Sequence, residues 1–382
     1  METRKKIVLI SPAHPLRGGI AASAERLARA LQQAGHEVVI YSYALQYPSF
    51  LFPGKTQYTD EPAPTDLNIK TRLNTINPLN WLLAGREVAR EKPDHIIARF
   101  WLPIMAPCIG SVLRIARWLG TGRWRTTGLV DNIIPHEKRP GDRWFARFFV
   151  RSCDDFVVMS KSVGIEIGTF LPARLQHQKD TVRYAPHPIY DTYGEAVSQA
   201  EARRELALPT QMPVVLFFGL IRKYKGLDLL LEALANTEGV HALVAGECYE
   251  DWSHYQEIID AHHLSDRVHL FLDFIPTDRV RYFFSAADLV VQPYRTATQS
   301  GISQIAFHFE KPMVVTRVGG LPEIVRDGVS GYVVAPEPAA IAAAICDFFE
   351  ENRSKTFLEG LREEKKRFSW KNLVQTLLRE AE

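Results

Sequence analysis

Two adjacent glycines, Gly18 and Gly19, are the first residues whose type and position suggest chemistry. They follow the apolar run KIVLI and precede a stretch with helical spacing, within the segment PAHPLRGGIAASAERLARAL. A glycine pair between a strand and a helix leaves backbone N–H groups unpaired at the positive end of the helix dipole. A phosphate group is the natural ligand of such a helix start. The alternative is that the glycines only permit a tight turn.

Other site patterns are weak or missing in the sequence. The glycine pair is not part of a G-x-G-x-x-G motif, and no acidic residue closes the second predicted strand, so a dinucleotide is not favoured. Asp154 and Asp155 lie at the start of a predicted strand, and we interpret the pair as a turn rather than a metal motif. The histidines are dispersed and no C-x-x-C pair occurs, so we expect neither a metal site nor a disulfide framework. The net charge of +2 argues against a nucleic acid partner.

The elements that position these residues are short apolar runs alternating with helical patterns. In the first half the predicted strands cover 6–11, 36–43, 95–101, 127–132 and 155–160. In the second half they cover 214–219, 241–246, 268–272, 289–294, 313–316 and 331–335. Because these runs are continuous rather than alternating, they indicate strands buried on both faces. Strand–helix alternation of this kind predicts parallel sheets with right-handed crossovers.

The length of 382 residues exceeds what one core usually serves, so we expect two doubly wound, Rossmann-like α/β domains. The predicted boundaries are 1–188 for the N-terminal domain, 189–367 for the C-terminal domain and 368–382 for a final helix. Ligands bind beyond the carboxyl ends of strands in open sheets, which predicts a site in a cleft between the domains. The N-terminal apolar run is too short for a signal sequence, and a cytoplasmic protein is expected.

Several segments of the chain resemble the group 1, or family 4, glycosyltransferases. They are RGGIAASAERLARALQQAGHEVVIYSY, FFGLIRKYKGLDLLLEAL (217–234), VAGECYEDW (244–252), the stretch 285–334 containing TQSGISQIAF and KPMVVTRVGGLPEIVRDGVSGYVV, and FSW (368–370). The resemblance implies the GT-B fold, in which two Rossmann-like domains face a cleft and the last helix crosses back to the N-terminal domain. It also implies a retaining transferase that needs no metal or other cofactor.

The substrates that the resemblance implies are a nucleotide-sugar donor and a glycan or lipid-linked acceptor, in synthesis of a cell-surface polysaccharide or glycolipid. Most of the family carries two glutamates in the donor site that this chain lacks. A non-catalytic sugar-nucleotide-binding protein therefore stays open as an alternative. Another enzyme on the same fold, such as a UDP-sugar 2-epimerase, is a further alternative.

Arg222 and Lys225, in GLIRKYKG, resemble the family's cations that grip the donor diphosphate. Positive charge near the diphosphate would stabilise the charge that grows on the leaving group, so both are candidates for catalysis and donor binding. Their spacing is closer than in many relatives. It therefore stays open which of Arg222, Lys223 and Lys225 does this work, and a solvated basic turn is the alternative.

The segment TQSGISQIAF predicts a loop that runs into a helix, where backbone N–H groups could hold the diphosphate. The donor-binding candidates in it are Gln299, Ser300, Gly301, Ile302 and Ser303. Most of the family carries two glutamates in this region. Here those positions fall on Ala297 and Ile305, while Gln299 and Gln304 are nearby amides that could contact a sugar hydroxyl.

Two further loops carry donor-binding candidates. Gly246 and Glu247, in VAGECY, resemble the family's strand end beside the nucleotide, although an ordinary strand-end turn explains them equally well. Phe274 and Ile275, in DFIPTDRV, resemble the loop that packs against the nucleobase. A buried aromatic residue is the simpler explanation for Phe274.

His136 is the preferred catalytic candidate in the first domain, with Asp131 second. Both lie in VDNIIPHEKRPGD after a predicted strand, where many relatives contact the donor sugar with a histidine. The loop setting favours a functional role, while a lone histidine is more often structural. No convincing carboxylate nucleophile is found, so a front-face mechanism is expected.

Residues 111–126 and 138–151 interleave arginines with aromatic residues, which suggests peripheral contact with an anionic membrane on its inner face. The alternative is that the aromatic side chains pack inward while the arginines reach water. The need to bury the first domain favours this alternative.

Overall fold

The computed structural model describes residues 4–47, 56–122, 124–135, 139–176, 178, 180–297 and 300–379. The chain divides into two compact units. The first contains Met1–His187 and Trp370–Glu382, and the second contains Pro188–Ser369. Each unit is built on one parallel sheet with flanking helices, so the predicted pair of doubly wound α/β domains is confirmed.

The first unit contains a seven-stranded sheet. Its strands are β1 (Lys6–Ile10), β2 (Glu37–Leu45), β3 (Asn68–Asn74), β4 (His95–Phe100), β5 (Arg125–Val130), β6 (Asp155–Val158) and β7 (Val182–Tyr184). Its helices in chain order are α1 (Gly19–Gln33), α2 (Pro78–Arg90), α3 (Ala106–Leu119), α4 (Asp142–Val150), α5 (Lys161–Gly168) and α6 (Ala173–Gln176). The strand order is β3-β2-β1-β4-β5-β6-β7.

The central strands of this sheet are buried because most of their side chains are apolar on both faces. β1 pairs with β2 on one side and β4 on the other, so Val8 lies beside both Val39 and Ile96. All six residues of β4 are buried. The winding direction reverses between β1 and β4, and ligands of open sheets bind at the carboxyl ends of the strands at such a point.

The second unit contains a six-stranded sheet. Its strands are β8 (Val214–Phe218), β9 (His241–Ala245), β10 (Val268–Phe271), β11 (Leu289–Gln292), β12 (Met313–Thr316) and β13 (Gly331–Val334). Its helices are α7 (Gln199–Glu205), α8 (Leu227–Leu234), α9 (Ser253–Ala261), α10 (Val280–Ala286), α11 (Gly301–His308), α12 (Leu321–Ile324), α13 (Pro338–Glu350) and α14 (Ser354–Lys365). The strand order is β10-β9-β8-β11-β12-β13, which places the reversal between β8 and β11.

The last helix, α15 (Trp370–Leu378), belongs to the first unit although it follows the second in the chain. It packs on α1, where the Arg26 guanidinium lies 5.1 Å from the centroid of the Trp370 ring. The Arg183 side chain donates to the carbonyl oxygen of Thr376 (3.0 Å). The chain therefore crosses back to its first domain.

Sequence patterning missed two strands, β3 and β7. β3 has the sequence NIKTRLN, in which Leu73 is the one buried residue, and it lies at an edge of the sheet. β7 has three residues and forms the other edge. Edge strands bury little side-chain area, so the apolar signal that reveals central strands is weak in both.

The interpretation of Asp155 as a turn residue is wrong. Asp155 begins β6 and is fully buried, and its carboxylate accepts a hydrogen bond from Thr127 (2.7 Å). It also forms ion pairs with Arg125, Arg183 (3.0 Å) and Arg379 (3.2 Å). Burial alone would raise the pKa of Asp155, but the Thr127 hydrogen bond and the arginine charges hold it below its ordinary value. This buried network ties the end of the chain to the first sheet.

Within the described ranges, no helix combines the length and the hydropathy that crossing a bilayer requires.

Candidate functional site

The candidate donor site lies at the carboxyl ends of β8 and β9. The chain continues beyond these strands as two paired loops, in which the Ile221 N–H donates to the Glu247 carbonyl (2.8 Å) and the Tyr249 N–H donates to Ile221 (3.1 Å). Gly246 has a φ of 138°, and a Cβ atom built there would lie 2.3 Å from the carbonyl oxygen of Gly219. Glycine is thus required at 246 by contact between the two loops, which is a structural reason independent of any ligand.

Lys225 is a buried cation in this loop region. It retains 8% of its surface exposed, and its Nζ lies 5.5 Å from the centroid of the Tyr294 ring. The same Nζ is 3.1 Å from where a Cβ of Gly219 would stand. Burial, with a smaller effect from the charge of Arg222, lowers the pKa of Lys225 to about 8. Among the described residues, no carboxylate is ion-paired with this ammonium group, which is therefore suited to receive an anionic ligand.

Arg222 lies against an aromatic side chain of the neighbouring loop. Its guanidinium carbon is 5.2 Å from the centroid of the Tyr249 ring, and the Tyr249 hydroxyl donates to Glu247 (3.2 Å). The Arg222 Nε is buried, and no hydrogen-bond acceptor for it is found among the described residues. Glu247 therefore orients the ring against which the Arg222 guanidinium packs.

The first residues of α11 and the Lys225 side chain lie beside the same two residues, Gly219 and Tyr294. The Ser300 Oγ lies 3.2 Å from the Tyr294 hydroxyl, and the Ile302 Cδ1 lies 3.2 Å from the position of a Cβ at Gly219. The structure therefore brings together the two motifs that the sequence treats separately. A buried cation beside the positive end of a helix is an arrangement that favours a phosphate group.

Two other donor-binding candidates of the TQSGIS segment, Gly301 and Ser303, pack against protein atoms. Gly301 must lack a side chain, because a Cβ there would lie 2.7 Å from the Tyr190 ring. The Ser303 hydroxyl is buried and exchanges hydrogen bonds with the side-chain amide of Gln292 (3.0 and 3.1 Å), so this side chain belongs to the core. Gln299 lies outside the described residues.

The two positions that carry glutamate in most of the family are apolar and buried here. Ile305 packs in the core, and the Ala297 carbonyl lies against Gly319, where a Cβ would be 1.3 Å away. Gln304 is fully buried, and neither polar atom of its amide has a hydrogen-bond partner in the described part of the chain. Its position within the core disagrees with the expectation that it contacts a sugar hydroxyl.

An ion pair that sequence reasoning missed holds the loop of Arg222 and Lys225 in place. Arg295 binds Asp228 through two hydrogen bonds of 2.7 Å, and its backbone N–H donates to the Tyr224 carbonyl (2.7 Å). The Arg295 guanidinium also donates to the Lys223 carbonyl (3.3 Å). No sequence motif indicated this role for Arg295, because an arginine directly after a strand is common in ordinary loops.

Phe274 and Ile275 lie in the loop after β10, the edge strand two positions from β8. Phe274 is 42% exposed, so the simpler explanation, a buried aromatic residue, is wrong for it. Ile275 is half-buried. An exposed phenylalanine beyond the carboxyl end of a strand is available for contact with a planar ligand such as a base.

In the first unit, Gly18 caps α1 with a φ of 110°. No described atom lies within 4 Å of a Cβ built at Gly18, so its conformation alone requires glycine. Gly18 and Gly19 are both exposed. The N-terminus of α1, at the carboxyl end of β1, is accordingly open to a ligand.

Asp131 follows β5 and is bound by Arg99, which sequence reasoning missed. The Arg99 Nε and Nη2 donate to the two carboxylate oxygens of Asp131 (2.7 and 2.9 Å), and Nη1 donates to the Ile20 carbonyl at the start of α1 (3.2 Å). With both oxygens engaged, Asp131 is arranged to orient Arg99, which in turn holds the first turn of α1. An arginine inside the apolar run HIIARFW was the available signal. His136 lies outside the described residues.

The two arginine-rich segments divide between core and surface. In 111–126 Trp124 is buried and Trp118 is exposed, while in 138–151 Trp144 is exposed. The Arg114 guanidinium carbon stacks 3.8 Å from the centroid of the Phe148 ring, which joins α3 to α4. Trp124 and Phe148 therefore pack within the first unit as the alternative interpretation expected, whereas Trp118 and Trp144 do not.

Among the residues that the structure describes, no group of three or more histidine, cysteine, aspartate or glutamate side chains is placed to hold a metal ion.

Two sequence models of protein families match the chain. The family described as "Glycosyl transferases group 1" matches residues 198–367, which include the candidate donor site. The family described as "Glycosyl transferase 4-like domain" matches residues 18–173, which begin at Gly18.

Individual relatives and solved structures agree with these matches. A D-inositol 3-phosphate glycosyltransferase of Acidothermus cellulolyticus is 28% identical over 94% of this chain and 84% of its own length. Other relatives of the same name are aligned over less than half of their own length. Sucrose-phosphate synthase of Thermosynechococcus elongatus has a TM-score of 0.76 at 19% identity, with 98% of both chains covered. HepE of Anabaena, solved with UDP and glucose, has a TM-score of 0.72 at 18% identity, covering 98% of this chain and 99% of its own. These structures show that the fold is the predicted GT-B fold.

Proposed function

The chain belongs to the group 1, or family 4, glycosyltransferases, and we propose that it moves a sugar from a nucleotide diphosphate to a glycan or lipid-linked acceptor. Glycosyl transfer as such follows from the family. The donor, the acceptor, retention of anomeric configuration and independence from metal ions are the proposed part. The proposal assigns the enzyme to synthesis of a cell-surface polysaccharide or glycolipid.

The observation that carries the proposal is the buried position of Lys225 beside the start of α11. A lysine with a lowered pKa, a neighbouring Arg222 and the positive end of a helix form an anion site with little access to water. A diphosphate has the charge and the size to engage all three.

These groups would act on the leaving diphosphate. When the bond between the sugar carbon and the phosphate oxygen breaks, negative charge grows on the diphosphate and the sugar becomes oxocarbenium-like. Lys225, Arg222 and the N–H groups of α11 stabilise that charge where it develops. The acceptor oxygen forms the new bond to the sugar carbon, and its proton passes to the departing diphosphate.

The front-face route gives the first unit a binding role. Asp131 already accepts two hydrogen bonds from Arg99, so we do not assign it as the base. Contact of His136 with the donor sugar stays a prediction. The open start of α1 at Gly18 and Gly19 suits an anionic acceptor, and the name of the Acidothermus relative makes an inositol phosphate a sensible first soluble acceptor to try.

The proposal is tested with a panel of UDP-, GDP- and ADP-sugars, scored for nucleotide release with and without acceptors. UDP-glucose comes first, because HepE was solved with it. We expect acceptor-dependent release with one donor, no loss of rate on adding a chelator, and a product that keeps the donor's anomeric configuration by NMR. Absence of release with every donor would contradict catalysis.

A non-catalytic sugar-nucleotide-binding protein is the second candidate, and it is favoured by the apolar residues at Ala297 and Ile305. Calorimetry separates the two functions. Binding of a nucleotide sugar without any turnover, across glycan, lipid-linked and sugar-phosphate acceptors, would support the second candidate.

A further inference from the structure

The α2 helix is firmly packed on its inner side. Ala84, Gly85 and Val88 are buried, and a Cβ at Gly85 would lie 2.7 Å from the Ile115 side chain of α3. The helix begins with a capped turn, in which the Asn77 side chain accepts hydrogen bonds from the N–H groups of Leu79 (3.0 Å) and Asn80 (3.3 Å). Its outer side is therefore held in a fixed orientation.

That outer side is apolar where a surface helix is normally polar. Leu79 and Leu83 expose 74% and 61% of their surface, and Leu82 and the preceding Ile76 are also exposed. Residues 79, 82 and 83 share one face because they are three and four positions apart. A cluster of four large aliphatic side chains in water marks an interaction surface rather than isolated exposure.

The same face continues into positive charge. Arg86 and Arg90 follow one and two turns after Leu82 and Leu83, and both are exposed. Glu87, the acidic residue of α2, points aside and lies 3.4 Å from the Arg72 guanidinium. Ile76, Leu79, Leu82, Leu83, Arg86 and Arg90 together are called the α2 outer face. It carries no acidic side chain.

The position of the α2 outer face matters as much as its composition. α2 begins four residues after β3 ends, so its leucine end lies at the carboxyl edge of the first sheet. In a parallel sheet this edge also bears the open start of α1 and Asp131. An apolar surface there lies at the edge of the sheet where ligands of open α/β folds bind.

We propose that the α2 outer face docks on an anionic phospholipid bilayer. The leucines enter the boundary between headgroups and acyl chains, while Arg86 and Arg90 bind headgroup phosphates. A second copy of this chain would bring the same cations to the contact, so charge favours an anionic partner over self-association. The inference relocates membrane contact from 111–126 and 138–151 to α2, and it does not depend on the proposed chemistry.

Vesicle co-sedimentation tests this proposal without any sugar donor. The full chain is mixed with vesicles of equal parts phosphatidylcholine and phosphatidylglycerol, or with phosphatidylcholine alone. We expect binding to the mixed vesicles that weakens with salt. The double variant Leu79→Ser with Leu83→Ser should reduce partitioning about tenfold or more, because two leucines no longer enter the apolar layer.

Two further variants make the test specific. Arg86→Gln with Arg90→Gln should weaken binding to anionic vesicles about tenfold and reduce its salt dependence. Ile165→Ser is the matched control, because Ile165 is 78% exposed on α5, away from α2 in the chain, and it should bind like the parent. All changes are at exposed side chains, so unfolding midpoints should stay close to that of the parent.

Three results would overturn the proposal. The first is failure of the parent chain to bind the mixed vesicles. The second is an equal loss of binding in Ile165→Ser, which would show general surface adhesion. The third is a parent dimer, seen by sedimentation velocity, that the leucine variant converts to a monomer without any vesicle binding, which would assign α2 to a second copy.

Discussion

Lys225 and Lys223 are separated by one residue in the sequence but differ completely in environment. Lys225 is buried against Tyr294, whereas Lys223 is exposed and contributes its backbone carbonyl to Arg295. Arg222, in the loop after β8, places its guanidinium over the Tyr249 ring of the neighbouring loop. The structure therefore gives a physical basis for choosing Arg222 and Lys225 among the three cations.

Substitution of these cations gives the first prediction. Arg222→Ala and Lys225→Met should each lower kcat/KM for the donor about a hundredfold or more, since each removes charge beside the leaving diphosphate. Lys223→Ala is the matched control and should stay within about threefold of the parent, as expected for an exposed charge. Steady-state kinetics with the preferred donor measure this. Equal losses in all three variants would contradict the assignment.

The lowered pKa of Lys225 leads to a second prediction. In the free protein the ammonium loses its proton as pH rises through about 8, and a bound diphosphate would hold the proton to higher pH. The affinity for UDP should therefore be constant below that pH and fall above it, by up to about tenfold per pH unit.

Calorimetry from neutral to alkaline pH measures this dependence. Lys225→Met has no proton to lose at this position, so its weaker binding should change little over the same range. A parent affinity that stays flat above pH 8, or a fall that persists in the variant, would be inconsistent with a diphosphate beside Lys225.

Site residues could be predicted from the sequence where their chemical type differed from that of their neighbours in the chain. Arg222, Lys225 and Gly18 stand out in sequence because cations and glycines directly after apolar runs are unusual. Tyr294 and Asp228 do not stand out, because an aromatic residue or a carboxylate near a strand end has many ordinary explanations. Their importance comes from contacts made across the fold, which spacing does not encode.

At the scale of elements, the paired loops after β8 and β9 depend on glycine at 246. Gly246→Ala combines a positive φ with a clash against the Gly219 carbonyl, and should lower the free energy of unfolding of the second unit by about 3 kcal/mol or more. Gly239→Ala is the control, because Gly239 also has a positive φ but no described atom within 4 Å of a built Cβ. It should cost only about 1 kcal/mol.

Denaturant unfolding followed by tryptophan fluorescence or far-UV circular dichroism provides the comparison. A Gly246→Ala cost no larger than that of Gly239→Ala would mean that the loops separate easily. The donor site would then not be preformed by their contact.

The predictability of elements followed their burial. Central strands such as β4 and β9 are continuous apolar runs and were predicted within a residue or two. The strands β3 and β7 were missed because each lies at an edge of the sheet, where little side-chain area is buried, and because their sequences are polar. The exposed leucines of α2 were also missed. Apolar residues in a helical sequence are normally assigned to its buried face, and the sequence does not show that some of them face solvent.

At the scale of the whole molecule, the first unit is completed by the end of the chain. α15 buries Trp370, Leu373, Val374, Leu377 and Leu378. A chain ending at residue 369 should therefore lose about 5 kcal/mol or more of stability in its first unit. Hydrogen exchange should become faster in β6 and β7, which contact Arg379 and α15 through Asp155 and Arg183, and remain slow in β8 and β9.

A chain ending at Arg379 is the control for this truncation, since it retains α15 and the ion pair with Asp155. It should show parental exchange. Unchanged protection of β6 and β7 in the shorter chain would mean that the first unit does not rely on its final helix.

The central claim is that the buried ammonium of Lys225 and the start of α11 bind the donor diphosphate. A crystal structure of the protein with UDP tests this most directly. We predict a phosphate oxygen within about 3 Å of the Lys225 Nζ and another accepting from the first N–H groups of α11. Ordered UDP with its phosphates elsewhere, and with Lys225 still touching only protein, would contradict the claim.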